Sequence, residues 1–239
     1  MPRFFIDGAA DGRAYITGAD ALHIAKALRM RPGEAMTLCD GKGTDFDGVL
    51  ETVTDRQVTV RITASRPSQA EPTLAVTLYQ GLPKGDKMDW IVQKAVELGV
   101  TAVVPVATRR SVARLEGKAD KKQERWQRIA AEAAGQCGRG ILPAVERPLS
   151  WSQALSRLSE EPALVFYEGG GQPLRELVTP STRRLSVFVG PEGGFDPEEI
   201  DAIRRQGGGV ATLGPRILRC ETAPLAALTL LMHLSGNME

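Results

Sequence analysis

The rhythm of hydrophobic and polar positions changes once along this chain, close to residue 70. Before that point, apolar residues alternate with polar ones in short runs at Arg3–Ile6, Glu34–Cys39, Asp45–Val53 and Gln57–Ser65. A period of two turns one face of a strand to a core and the other to water, so these runs predict strands. Asp40-Gly-Lys-Gly43 supplies a tight turn between two of them. One helix interrupts the set: Asp20 is placed to cap it, Ala21–Met30 forms it, and Arg31-Pro-Gly33 stops it. Arg66-Pro-Ser-Gln-Ala-Glu-Pro72 then reads as a linker, short and polar, with two prolines that favour an extended path.

Beyond the linker the pattern becomes strand–helix alternation. Strands are predicted at Leu74–Gln80, Thr101–Val106, Ala163–Tyr167, Leu185–Val189 and Val210–Leu213. Helices are predicted at Asp86–Leu98, Lys121–Ala134, Ser150–Leu158, Pro197–Gln206 and Ala223–Leu234, the first of them stopped by Gly99. Near-continuous apolar strands separated by helices imply a parallel sheet covered on both faces. The expected organisation is a small β-rich domain over residues 1–70 and an α/β domain over residues 71–239.

Composition changes this picture little. With 42% hydrophobic and 25% charged residues the chain is ordinarily globular, and it lacks the run of about 18 apolar residues that a membrane span needs. The first residues carry no secretory pattern. Three widely spaced cysteines, Cys39, Cys137 and Cys220, form neither a disulfide framework nor a metal-ligand motif, so a cytoplasmic location and no metal are expected.

Charge adds more. The net charge is only +1, but residues 109–139 carry nine Lys/Arg (Arg109, Arg110, Arg114, Lys118, Lys121, Lys122, Arg125, Arg128, Arg139) against Glu116, Asp120, Glu124 and Glu132. Such a segment either offers a local field to phosphates or is a solvated helix face of mixed charge. His23, Lys26 and Arg29 recur at helical spacing with Arg31 just beyond, a basic edge that suits an RNA backbone or simply solvent.

In an open parallel sheet, ligands bind beyond the carboxyl ends of the strands. The segments found there are Gly81-Leu-Pro-Lys-Gly85, Glu168-Gly-Gly-Gly171, Gly190-Pro-Glu-Gly-Gly-Phe195 and Gly214-Pro-Arg-Ile-Leu-Arg219. Glycine lets main-chain groups approach a ligand closely, which favours a nucleoside held by backbone contacts, although connector turns use the same residues. The dinucleotide Gly-x-Gly-x-x-Gly and P-loop patterns are both missing. Asp196-Pro-Glu-Glu199 opposes phosphate at its helix start but leaves a cationic, sulfonium-bearing cofactor compatible. The two histidines, His23 and His233, lie in different halves. Cys220 has no histidine nearby to make it a thiolate, and Trp90, Trp126 and Trp151 read as packing residues.

Several short motifs, in order, resemble one family. They are Arg3-Phe-Phe5, His23 with Leu28-Arg-Met-Arg-Pro-Gly33, Lys84-Gly-Asp-Lys-Met88 and Gln93-Lys-Ala-Val-Glu-Leu-Gly99. Pro105, Gln136-Cys-Gly-Arg139, Gly190-Pro-Glu-Gly-Gly194, Leu213-Gly-Pro-Arg-Ile-Leu-Arg219 and Glu221-Thr-Ala223 follow. Together they resemble the RsmE family, the 16S ribosomal RNA uridine-N3 methyltransferases of the SPOUT superfamily. The resemblance implies a PUA-like N-terminal RNA-binding domain and a SPOUT-type α/β domain with a deep trefoil knot, a topology otherwise nearly absent from proteins. It also implies S-adenosyl-L-methionine as cofactor, 16S ribosomal RNA or the small ribosomal subunit as partner, and a homodimer completing each site. Position 220 departs from relatives that often carry Thr, which weighs against catalysis by Cys220.

On this basis the cofactor is expected against Gly190, Pro191, Glu192, Gly193 and Gly194, and against Leu213, Gly214, Ile217 and Leu218, with Phe166 and Glu168 as the third wall. Arg219 is expected to stabilise charge on the uracil carbonyls. Glu221 is either a base or positioning group or a cap of the last helix, and Arg139 is a contribution from the partner. Arg3, His23, Arg29, Arg31 and Lys84 are the expected RNA contacts. Two rival functions stand beside this: another RNA methylation by a knotted enzyme, and a non-catalytic RNA-binding assembly factor.

Overall fold

The structure is a computed structural model and describes residues 3–112, 117–160 and 162–238. It divides into two compact units. The first comprises Met1–Glu71 with Ala134–Leu142, the second Pro72–Ala133 with Pro143–Glu239.

The first unit holds a five-stranded sheet formed by β1 (Arg3–Phe5), β2 (Arg13–Thr17), β3 (Ala35–Cys39), β4 (Thr44–Val53) and β5 (Gln57–Pro67). Its order is β1-β3-β4-β5-β2, with only the β1–β3 pair parallel. The inward positions Phe4, Ala14, Ile16, Met36, Leu38, Leu50, Val58 and Val60 form the core, as period-two alternation requires. β2 was absent from the predicted strands, although Arg-Ala-Tyr-Ile-Thr alternates cleanly between exposed and buried positions. The helix predicted over 21–30 begins and ends three residues earlier. Helix α1 (Gly18–Leu22) runs into a wider turn over His23–Ala27, closed by the Leu28 amide on the His23 carbonyl at 2.9 Å. Arg29 then takes the left-handed region (φ 53°) and Met30 turns back against the core. A wide turn with a left-handed terminator ends the helix before Arg31-Pro-Gly33 is reached.

The segment 134–142 belongs with this unit because its polar groups are satisfied there. Glu71 accepts hydrogen bonds from the amides of Gly140 and Ile141 at 2.8 and 2.9 Å and from Arg139 Nη2 at 2.6 Å. Arg139 is buried, with 4% of its side chain exposed. The structure therefore places Arg139, expected as a contribution from the partner, in an ion pair with Glu71 of its own unit. Arg3, expected as an RNA contact, pairs with buried Asp45 at 2.6 Å and donates to the Gly138 carbonyl.

The second unit is α/β. Its strands are β6 (Ala75–Gly81), β7 (Ala102–Ala107), β8 (Ala144–Val145), β9 (Leu149–Ser150), β10 (Ala163–Phe166), β11 (Gln172–Pro173), β12 (Arg184–Val189) and β13 (Gly209–Thr212). All pairings are parallel in the order β11-β13-β10-β12-β6-β7-β8, with β9 also on β7. The helices are α2 (Lys87–Glu97), α3 (Ala119–Cys137, whose last turn belongs to the first unit), α4 (Trp151–Ser156), α5 (Leu174–Leu177), α6 (Pro197–Arg205) and α7 (Ala223–Leu234). The predicted strands and helices fall on these elements within a few residues at each end. The two-residue strands and α5 are too short to leave a periodic signal.

Aromatic packing anchors the sheet. Tyr79 and Phe188 stack at 4.4 Å, and Trp151 meets Phe188 and Phe195 edgewise or tilted at 5.9 and 5.7 Å. Trp126 is also buried, but Trp90 is half exposed beneath the Lys94 ammonium. The helix α7 packs on α2, where Met232 Cε lies 3.4 Å from the place a Cβ on Gly99 would take. No helix among the described residues is long and apolar enough to cross a membrane.

The Glu71–Arg139 pair has a measurable consequence. Burial would raise the Glu71 carboxyl, but Arg139 and the two amides outweigh it and hold it below the usual value. The stability it contributes is therefore present above the unfolded carboxylate range and lost as pH falls through the depressed folded value. Glu71→Ala is expected to cost about 3 kcal/mol in urea unfolding, because it removes the carboxylate paired with a buried guanidinium. The loss should shrink as the wild type is acidified.

Candidate cofactor and active site

Four neighbouring strands, β13, β10, β12 and β6, end side by side, and the segments after β10, β12 and β13, with Lys87 beyond β6, surround a cavity of about 390 Å³. β12 lies between β10 and β6, so the Gly190–Gly194 loop stands at its centre. The approach to β6 is close. A Cβ at Gly81 would lie 2.5 Å from Pro191 Cδ and 2.7 Å from its nitrogen. The buried Gln80 amide donates to the Gly190 carbonyl at 3.3 Å. Within the loop, a Cβ at Gly190 would come to 3.1 Å from Gly194 backbone, and one at Gly194 (φ 66°) would overlap the Glu168 carboxylate. A side chain would be crowded at Gly190 and strained by the left-handed backbone at Gly194, so glycine suits both and leaves backbone facing the cavity.

The loop is pinned at its far end. Phe195 is buried, and Asp196 caps α6 with a reciprocal box to Glu199. Buried Glu199 also accepts from the Arg109 amide at 2.9 Å. Arg109 pairs with Asp196 and Glu198, and Arg110 donates to the Gly193 carbonyl at 3.1 Å.

These pairings decide the reading of the basic segment. Lys122, Arg125, Arg128 and Arg139 pair with Asp86, Asp89, Glu132 and Glu71 respectively. Arg114 and Glu116 lie outside the described residues. The rest of the segment is a face of mixed charge whose cations are mostly committed to acids.

Every expected cofactor residue lines this cavity: Phe166, Glu168, Gly190, Pro191, Glu192, Gly193, Gly194, Leu213, Gly214, Ile217 and Leu218. Arg219 lines it too, exposed and without an ion pair among the described residues. Glu221 does not cap α7, whose N-cap is Thr222. Its Oε2 instead accepts from the Cys220 thiol at 3.1 Å and lies 3.2 Å from Lys87 Nζ.

Lys87 was missed in the sequence. It is the first residue of α2, and its ammonium also reaches Glu192 Oε1 at 3.0 Å and Cys220 Sγ at 3.7 Å. The only signal was its place in Lys84-Gly-Asp-Lys-Met88, where Lys84 drew the attention. The Lys84 amide, rather than its side chain, is what holds Glu192, at 3.1 and 3.3 Å.

The charges respond to one another. The Cys220 thiol, followed by the Glu221 amide and Lys87, holds the Glu221 carboxyl below its ordinary value against a burial penalty. Burial would raise Glu192, but its own amide, Lys87 and the Lys84 amide outweigh that and lower it. Burial, with Glu221 and Glu192 beside it, pushes the Cys220 thiol up to about 12, so it stays protonated and is no nucleophile. No group of three or more His, Cys, Asp or Glu that could hold a metal occurs among the described residues.

Among known proteins, the profile of the RNA methyltransferase domain matches residues 69–232 and that of the RNA methyltransferase PUA domain residues 16–63. The chain is 37% identical to the ribosomal RNA small subunit methyltransferase E of Bacillus subtilis over 227 residues, covering 91% of this chain and 89% of that protein. It is 32% identical to the enzyme of the same name from Mycobacterium bovis, covering 94% and 88%. The chain belongs to the ribosomal RNA small subunit methyltransferase E family. Its fold agrees with the family member from Neisseria gonorrhoeae bound to S-adenosyl methionine, at a TM-score of 0.87 and 33% identity over 98% of both chains. The N-terminal unit is thus PUA-like, and the α/β unit is the methyltransferase domain.

The glycine wall makes a sharp test. Gly190→Val is expected to weaken S-adenosylmethionine binding at least about 100-fold by calorimetry, since a side chain there enters the loop's own backbone. The thermal midpoint shows whether the fold survives. Binding of wild-type strength in a folded variant would remove this loop from the site.

Proposed function

We propose that this protein transfers the methyl group of S-adenosyl-L-methionine to N3 of a uridine in 16S ribosomal RNA. The observation that carries the reading is the glycine-walled cavity at the ends of β10, β12 and β13, in a chain related along nearly its whole length to small-subunit methyltransferases. A volume of about 390 Å³ suits a nucleoside-sized ligand. The donor set fits this cofactor in particular. Backbone of Gly190–Gly194 and Leu213–Leu218 offers amides and carbonyls to a nucleoside, and Phe166, Ile217 and Leu218 offer apolar surface. Carboxylates at Glu168 and Glu192 oppose a phosphate-bearing ligand and favour a cationic one. When bound, the cofactor supplies an electrophilic methyl group on a sulfonium.

The chain's own residues do the rest. N3 of uridine is hidden in a pair, so the base must be splayed out at a cost of a few kcal/mol. As N3 loses its proton, negative charge spreads to the flanking carbonyl oxygens. Arg219, unpaired at the cavity, places donors for that charge. Glu221, held ionised, accepts the proton or orients the base.

The exposed residues His23, Arg29 and Arg31 of the PUA-like unit, with Lys84, are assigned to the RNA backbone. The C-terminal segment is assigned the trefoil knot of its superfamily. A homodimer is assigned to cover the apolar exposed positions Trp90 and Leu230. The compartment assigned is the cytoplasm, with the small subunit or its RNA as substrate.

Arg219→Ala is expected to lower single-turnover methyl transfer about 100-fold or more while cofactor affinity changes little. Near-normal turnover would make the assignment wrong. Neutralising Arg29 and Arg31 together should flatten the slope of log K for RNA against log salt by about 1.4 to 1.8. An unchanged slope would return the contact to residues 109–128.

A further inference from the structure

We infer that Lys87 is a positioning residue, which holds Glu192 and Glu221, one from each cofactor-facing loop, on a single ammonium group and keeps Glu221 ready to accept a proton. The inference rests on the methyl-transfer reading and adds to it the group that organises the two loops.

The first argument is placement. Lys87 is the first residue of an eleven-residue helix, where the unpaired amides and the helix dipole disfavour a cation. Local helix stability gives no reason for lysine at this point, so the reason lies in its partners. An ammonium has three donors, and three acceptors stand around it: Glu192 Oε1 at 3.0 Å, Glu221 Oε2 at 3.2 Å and Cys220 Sγ at 3.7 Å. Each acceptor comes from a loop distant in sequence, after β12 for Glu192 and after β13 for Cys220 and Glu221.

The second argument is electrostatic. Glu192 and Glu221 lie within 3.2 Å of one nitrogen, so without it two carboxylates would share a small, half-enclosed space. Like charges so placed cannot both stay ionised cheaply, and one of them gains a proton. The charged and titratable groups facing Glu221 are Lys87 from α2, Glu192 from the loop after β12 and Cys220 of its own loop. Glu168, Arg216 and Arg219 line the cavity that Lys87, Glu192 and Cys220 also border. Of the cations, Lys87 is the one paired to Glu221, so its removal raises the proton affinity of Glu221.

The sign follows directly. A carboxylate held down by Lys87 is ionised, and competent as a base, to lower pH than one without it. In Lys87→Met the acid limb of kcat/KM should therefore move up by about one pH unit or more. Cofactor affinity should fall about tenfold as the two loops lose their common tie. Lys87→Arg should restore part of both.

The test uses the full chain. Carbon-detected NMR titration of the glutamate carboxyls, with Glu221→Gln for assignment, reads Glu221 directly in ligand-free wild type, Lys87→Met and Lys87→Arg. Calorimetry with S-adenosylmethionine and the pH profile of methyl transfer to small-subunit RNA complete it. An upward shift of the Glu221 titration in Lys87→Met, reversed in Lys87→Arg, supports the inference. An unmoved titration, or a rate loss with an unmoved acid limb, overturns it. If Lys87→Met does not fold, Glu192→Gln serves instead: leaving Lys87 to Glu221 alone should move the Glu221 titration down, and no movement overturns the inference. A wild type that shows the titration behaviour but transfers no methyl group refutes the function and leaves the Lys87 link standing.

Discussion

A parallel sheet in which β12 is inserted between β10 and β6 is the constraint on which the rest of this site depends. It sets the carboxyl ends of β13, β10, β12 and β6 side by side. Three of the following loops wall the cavity, and the fourth leads into α2 and delivers Lys87 to its edge. Close approach at Gly81 to Pro191, at Gly190 to Gly194 and at Gly194 to Glu168 crowds any side chain added at those glycines. The cavity surface thus combines main chain at the glycines with the side chains of Phe166, Ile217 and Leu218 and the carboxylates of Glu168 and Glu192.

Charge is distributed accordingly. Most of the cations that make residues 109–139 look like a phosphate-binding stretch are spent on acids that fix loops and helix ends, as with Arg109 on Asp196 and Glu198. Arg3 and Arg139 are spent on buried carboxylates within the PUA-like unit. Among the described residues, the arginines at the cavity, Arg216 and Arg219, and exposed His23, Arg29 and Arg31 have no ion pair. A near-neutral chain can in this way serve a polyanionic substrate, because the unpaired cations, and not the total, set the local field.

Two glutamates on two loops and one lysine between them then join cofactor wall to chemistry. Glu192 lines the cavity, Glu221 lies in the segment after β13, and Lys87 touches both. Cys220 sits among these groups as a protonated thiol, a hydrogen-bond donor to Glu221 and not a reactant.

The sequence by itself determined the elements whose signal is local. Period-two strands, the α2 and α7 helices and the glycine loops all stand where alternation, caps and stop residues put them, and the ordered motifs pointed to the family. β2 was missed although it alternates, because a five-residue run between glycines is short. What only the tertiary structure decided is which charges meet. Arg139 carries the same side chain whether it awaits a substrate or fills a buried pair with Glu71, 68 residues away. Lys87 shows nothing of its role until β12 and β13 bring Glu192 and Glu221 to it. Pairing energy depends on distance in space and on burial, and neither is encoded in the spacing of residues along a chain.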